Sequence, residues 1–176
     1  MKKILAFAGS NSKTSINKQL AIYAASLVED SEVTVLDLND FELPLYGIDY
    51  EMEHGIPKAA EELLDHIKTS DGIVLSLAEH NGAYATVFKN IFDWMSRIDN
   101  KLWSNVPMLL MATSPGGRGG ATVLEIAEGR FKYMGGNIIA VFSLPSFGAN
   151  FSEGKIINEE LDSGLKQAVM ELQNQL

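Results

Sequence analysis

The chain contains no cysteine, which excludes a disulfide framework, a thiolate nucleophile and a cysteine-ligated cluster. A basic excess is missing as well. Lys and Arg number 14 against 23 Asp and Glu, and the net charge of −9 argues against duplex DNA or an anionic membrane as partner, since either rewards a basic face. No apolar run approaches the ~20 residues of a membrane span. The start from Lys2 to Ala8 is only faintly like a signal peptide, its apolar run falling short of the roughly 7 to 15 residues required. A cytoplasmic protein is therefore expected. The three histidines, His54, His66 and His80, lack metal-ligand spacing, so no metal site is expected. Repeats, linkers and low-complexity tracts are also missing. What is present is 46% hydrophobic content over 176 residues, enough for one packed domain spanning residues 1–176.

The chain is organised around Gly9 to Asn17, GSNSKTSIN, which follows the apolar run Lys3 to Ala8 and opens a helix-patterned segment. A small-residue loop between a buried strand and a helix start leaves backbone N–H groups unpaired at the positive end of the helix dipole, which is a seat for an anion. Ser10, Ser12, Thr14, Ser15 and Asn17 add neutral donors that suit a phosphate. The same residues suit a plain helix cap. A P-loop is excluded because Phe7 and Ser12 stand where that motif needs glycine. A dinucleotide fingerprint is excluded because Gly9 is the sole glycine before Gly47.

Further along, Glu32 to Leu38 alternates as an edge strand with one wetter face, and Asn39 to Pro57, with Phe41, Tyr46 and Tyr50, has the little periodicity of a long loop. Ala60, Leu63, Leu64 and Ile67 mark a helix, and Gly72 to Leu77 a fully buried strand. A second loop, Ala78 to Thr86, precedes a helix with an apolar stripe from Val87 to Met95. A third buried strand, Val106 to Ala112, leads to the glycine cluster Ser114 to Gly120 and a helix closed by Gly135 and Gly136. Asn137 to Ser143 is the last strand. Leu144 to Ile157 reads as irregular, and Leu161, Leu165, Val169, Leu172 and Leu176 mark a terminal helix. Five strands alternating with five helices specify a doubly wound α/β sheet. In the flavodoxin-like order 2-1-3-4-5, ligands belong at the carboxyl ends near the switch point between the first and third strands, where the loops from Gly9, Ala78 and Thr113 converge.

Three motifs carry a resemblance to the NADPH-dependent FMN reductase family, which includes quinone, azo and chromate reductases. The first is Gly-Ser-x-Arg-x-x-Ser-x-Asn, met by Gly9, Ser10, Ser15 and Asn17. The second is Pro-Glu-Tyr-Asn with a Leu-Lys-Asn-x-x-Asp-Trp helix, met by Glu79, Asn81, Lys89, Asn90, Asp93 and Trp94. The third, Ser-Pro-Gly-Gly-x-Gly-Gly, is complete from Ser114 to Gly120. The resemblance extends to the tail around Phe151 and Gly154. It implies an FMN site with Ser10, Ser12, Ser15, Ile16 and Asn17 at the phosphate end. Ala78, Glu79, His80 and Asn81, with Ser114, Pro115, Gly116, Gly117, Gly119 and Gly120, would lie around the isoalloxazine. It further implies an enzyme that passes hydride from NADPH or NADH via FMN to a small acceptor such as a quinone, an azo or nitro compound, or free flavin. A homodimer or homotetramer is implied too, with Phe41 to Tyr50 as candidate shared wall.

The chain departs from the family at Ser12, where Arg is usual, at Ala78 for Pro, at His80 for Tyr, and at Ala85-Thr86 for Pro-Gly. These bear on cofactor affinity and substrate choice. His80 is read as a passive wall, because flavin chemistry needs no side-chain base. Lys89, Asp93 and Trp94 are equally consistent with packing and surface charge. The alternatives are a flavodoxin-like electron carrier without its own substrate, and a nucleotide-binding or scaffold domain that has lost flavin.

Overall fold

Strand β1, Lys2–Gly9, is exposed at its two lysines and buried from Ile4 onward, as expected of a strand covered by helices on both faces. In the computed structural model, which describes residues 1–176, it pairs in parallel with β2, Ser31–Leu36, and with β3, Gly72–Leu77. Strands β4, Pro107–Thr113, and β5, Asn137–Leu144, follow on the far side of β3, so the order across the sheet is 2-1-3-4-5. Gly9 stands opposite Leu77, which brings the ends of β1 and β3 level. The fold is the expected flavodoxin-like one, with β2 at an edge and Val33 and Val35 exposed on it.

The seven helices are α1 Ile16–Ser26, α2 Ile48–His54, α3 Lys58–Lys68, α4 Thr86–Ile98, α5 Ala121–Phe131, α6 Phe147–Asn150 and α7 Glu159–Gln173. The strand pleat sorts apolar side chains into two cores. Ile4, Ala6, Val74, Leu109 and Met111 pack with Leu20 and Ala24 of α1 and Leu165 and Leu172 of α7. Leu5, Phe7, Leu75 and Leu110 pack with residues of α3, α4 and α5. The approach of α4 to β1 is close: a Cβ on Gly9 would lie 2.8 Å from Leu77 Cδ2 and 3.2 Å from the Phe88 ring. That spacing makes Gly9 a packing residue as well as the loop's first position.

Two stretches read from the sequence as irregular contain helices. Within Asn39 to Pro57 lies α2, none of whose residues is buried, so it has no apolar stripe from which a helical period can be recognised. Its support is polar. Asp49 and Glu51 occupy its first turn, where the dipole favours acids, and Gly55 ends it at φ 75°. Glu51 also accepts hydrogen bonds from Arg97 Nε at 2.8 Å and Tyr46 Oη at 3.0 Å, and the Arg97 bond foremost holds its carboxyl below the usual carboxylate range. The other helix, α6, is four residues long, too short to show a period.

The segment entering α2 is fastened to α4 by side chains. Asn90 accepts from the Tyr46 N–H at 2.7 Å and donates to the Pro44 carbonyl at 3.0 Å, which also receives the Trp94 indole N–H at 2.8 Å. Tyr46 meets the Trp94 ring edge-on, with centroids 5.0 Å apart. Asn90 and Trp94 thus act in packing. Asn90→Ala is expected to cost about 1 to 2 kcal/mol, because it strands the Tyr46 N–H while Pro44 keeps one donor. Hydrogen exchange should show faster loss of protection at Tyr46 with β1 and β3 amides unchanged; equal acceleration in both would refute this local role.

Candidate functional site

The chain has five buried polar side chains, Ser10, Ser15, Asn17, Ser76 and Thr113, and all lie in or beside the carboxyl ends of β1, β3 and β4. Buried polar groups are costly unless paired, and Asn17 supplies much of the pairing here. Its Oδ1 accepts from Ser76 Oγ at 2.7 Å and from the Thr113 N–H at 3.0 Å, while its Nδ2 donates to the Thr113 carbonyl at 3.1 Å. Thr113 Oγ1 in turn donates to the Leu144 carbonyl at 2.7 Å. One amide side chain therefore ties α1 to β3 and β4, and through Thr113 to the end of β5.

Above this hub the first loop enters α1. Ser15 caps the helix by accepting the Lys18 N–H at 3.1 Å, and Ser10 Oγ accepts the Ser12 N–H at 3.1 Å. The N–H groups of Lys13, Thr14, Ile16 and Asn17 have no protein acceptor. They are orphan donors at a helix N-terminus, the arrangement that seats an anion. The Ser12 side chain makes no hydrogen bond. Lys18 is already committed, its Nζ lying 2.6 Å from Asp37 Oδ2, a bond that foremost lowers the Asp37 pKa.

The second loop is a two-strand ribbon, Glu79–His80 against Ala83–Tyr84, turned by Asn81 and Gly82 at φ 53° and 70°. An Asn-Gly pair between ribbon strands is the standard two-residue hairpin signal, and it was available in the sequence. The Tyr84 ring lies parallel to that of Phe131, and burial pushes its hydroxyl pKa up to about 12. Glu79 joins this loop to the third: its Oε2 accepts the Val123 N–H of α5 at 2.9 Å. The N-cap of α5 is Gly120, which has no side chain, so Glu79 caps that helix from across the site.

In the third loop the glycines divide by role. Gly119 and Gly120 have φ of 57° and 76°, and a Cβ on them would lie 2.3 Å from Ser143 Oγ and 2.7 Å from Ala112 Cβ respectively. Backbone geometry and packing require both. Gly117 faces open space, and a Cβ on Gly116 would meet nothing closer than Ser114 Oγ at 3.9 Å. The loop is pinned rather than loose: the Gly116 carbonyl receives the N–H groups of Gly119 and Ser146 and the Ser114 hydroxyl.

Together the loops border a cleft of about 290 Å³, near the lower end of the roughly 300 to 1,000 Å³ usual for small-molecule sites. Its lining takes Ser10, Ser12, Ser15, Ile16 and Asn17 from the first loop, Ala78, Glu79 and His80 from the second, and Ser114 and Pro115 from the third. Asn81 stands outside it at the ribbon tip. Gly116 and Gly117 continue the third loop beyond Pro115, and Gly119 and Gly120 are buried behind. Thr14 and Thr113 also line the cleft; Thr113, which ends a strand of apolar residues, carried no local signal of this role. Depressions of about 320 Å³ beside Val169 and about 400 Å³ along Asn137 to Val141 lie elsewhere, without such a convergence of donors.

A model of the NADPH-dependent FMN reductase family matches residues 2–147. The chain is 32% identical over 124 residues to a quinone reductase of Escherichia coli, an alignment covering 68% of this chain and 63% of that protein. It therefore spans less than two thirds of that relative. It is 33% identical over 134 residues to a 2-hydroxy-1,4-benzoquinone reductase of a Burkholderia species, covering 75% and 71%. In three dimensions it is similar to FerB, a flavoenzyme NAD(P)H:(acceptor) oxidoreductase of Paracoccus denitrificans, with TM-score 0.77, 24% identity, and coverage of 99% and 96%.

The hub makes a test that separates it from the surface of the cleft. Asn17→Ala strands the Ser76 hydroxyl and both backbone groups of Thr113, and is expected to cost on the order of 3 kcal/mol in urea unfolding. Ser76→Ala leaves Asn17 Oδ1 with its Thr113 donor and should cost about 1 kcal/mol. Similar small losses for both variants would show that Asn17 is not the tie between the strands.

Proposed function

The chain belongs to the NADPH-dependent FMN reductase family, and we propose that it is an FMN-dependent oxidoreductase carrying electrons from NADPH or NADH to a small acceptor. A quinone is favoured by the names of its relatives, with azo or nitro compounds and free flavin as further acceptors. The observation that carries the reading is the cleft at the β1/β3 switch point, where orphan N–H groups and small polar side chains converge beside a pinned glycine loop.

The residues fit the cofactor. Lys13, Thr14, Ile16 and Asn17 would hold the phosphate through their backbone N–H groups, helped by the Ser10 and Ser12 hydroxyls. The open space at Gly116 and Gly117 admits a planar ring close to the backbone, against Ala78 to His80 on the other side. Bound FMN would supply the hydride acceptance and electron donation that none of these side chains can perform. The protein's part is position: Asn17 and Glu79 hold the loops in register, and the pinned third loop keeps the ring's place free of Cβ atoms. His80 is exposed on the cleft wall, where it shapes the opening and needs to move no proton.

The reading extends to one FMN-binding domain over residues 1–176, working in the cytoplasm as a homodimer or homotetramer. Leu45, Ile48 and Met52 are 76%, 51% and 81% exposed beside Tyr50, an apolar surface that a second copy would cover, whereas Phe41 turns inward onto His66. No helix is long and apolar enough to cross a membrane.

The defining experiment is steady-state NAD(P)H oxidation by FMN-loaded protein with a quinone. Because donor and acceptor would use the same open face in turn, parallel double-reciprocal lines are expected. Intersecting lines would overturn the shared face, and oxidation of neither nucleotide would assign the chain to electron carriers instead.

A second test concerns Ser12, which lines the cleft with a free hydroxyl. A charge-assisted bond is worth roughly 1.5 to 3 kcal/mol against about 0.5 to 1.5 for a neutral one, so Ser12→Arg should tighten FMN about tenfold. Riboflavin, which lacks the phosphate, should bind unchanged, and salt should weaken the gain. Equal shifts for both flavins on fluorescence titration would remove residue 12 from the phosphate seat.

A further inference from the structure

Six of the fourteen Lys and Arg side chains of this acidic chain are matched by a carboxylate. Lys18, Lys58, Lys68, Lys89, Arg97 and Lys166 each lie within 4.0 Å of a carboxylate oxygen. Arg118, in the middle of the glycine loop, has no carboxylate partner, although the chain carries a net charge of −9. It is exposed, and one of its five N–H donors is used, by Thr122 Oγ1 at 2.9 Å from Nη2.

Its support is rigid on both sides. The Arg118 carbonyl accepts the Ala121 N–H at 3.0 Å, and the neighbouring Gly116 and Gly119 carbonyls are each held by hydrogen bonds from Ser146 and Ser143. Thr122, which rests the guanidinium, is adjacent to the ribbon: a Cβ on Gly82 would lie 3.8 Å from Thr122 Cγ2. Arg118 therefore stands where the second and third loops meet, three residues beyond Pro115 and outside the residues that line the cleft. β3 separates β1 from β4, so the loop carrying Arg118 springs from the sheet roughly 10 Å from the anion seat of the first loop. With the single phosphate of FMN at Lys13 to Asn17, a phosphate received at Arg118 would belong to a different ligand.

We propose that Arg118 receives a phosphate of the incoming nicotinamide nucleotide, with Thr122 holding the guanidinium ready where the two loops meet. This rests on the oxidoreductase reading above. A guanidinium with a free fork matches a phosphate bidentately, and an unpaired one needs to leave no ion pair before doing so. The recognised group is either the pyrophosphate, common to NADH and NADPH, or the 2′-phosphate that NADPH alone carries.

The test follows anaerobic bleaching of FMN-loaded protein against concentration of NADPH and, separately, NADH, together with calorimetry of NADP⁺ binding to the oxidised, FMN-loaded protein. Arg118→Ala should raise the half-saturating concentration about 10- to 100-fold with the limiting rate nearly unchanged, and weaken NADP⁺ to the same degree. Arg118→Lys should recover part of the loss, and Thr122→Val should give a smaller one. A loss with both nucleotides identifies the pyrophosphate; a loss confined to NADPH identifies the 2′-phosphate. Unchanged half-saturation for both nucleotides, in a variant that still binds FMN, overturns the assignment while leaving the oxidoreductase reading intact. Failure of the parent protein to be bleached by either nucleotide sinks that reading and this inference together.

Discussion

A single buried amide, that of Asn17, is what the geometry of the cleft depends on. Parallel strands bring loops to one sheet edge, but nothing in a ladder of backbone bonds fixes how those loops lie against one another. Asn17 does so by satisfying a hydroxyl on β3 and both backbone groups of Thr113 at once. Such a network rigidifies when fully paired and is costly when one member is lost, because its low-dielectric surroundings strengthen every bond and penalise every orphan. The family motif places this residue at the phosphate end of the site. Its side chain is turned down into the sheet, and its backbone N–H is the group left facing outward.

The second tie crosses the cleft. Helix α5 begins at a glycine because only a residue without Cβ fits between Ala112 and the turn, and a glycine has no side chain to cap the helix. Glu79 provides the missing acceptor from the opposite loop. The constraint that puts glycine at the helix start is thereby converted into a connection between the two walls that would enclose a flavin ring. The glycine run has two jobs that one motif conceals: its last two members satisfy packing and backbone geometry, and its first two leave room for a ligand.

Charge is distributed on the same plan. Paired lysines and arginines stabilise the outer surface weakly, as exposed ion pairs do. The proposed anion seat would rely on backbone donors and hydroxyls, without the arginine usual in the family. Such a seat holds a phosphate by direction rather than by net charge, so its grip is expected to vary less with salt than one built on a guanidinium.

The sequence by itself determined the layered α/β architecture, the edge position of β2 and the three loops. Buried parallel strands read as continuous apolar runs, covering helices show an apolar stripe, and the glycine, serine and asparagine positions of the loops form recognisable motifs. It also contained the Asn81-Gly82 hairpin signal. Helix α2 left no trace because an element that buries nothing imposes no period on its residues. Only the tertiary structure decided the partners of Asn17, 96 residues away at Thr113, and of Glu79, 44 residues away at Val123. Those distances along the chain are bridged by where strands end in the sheet, a property of the whole fold that no local window of residues carries.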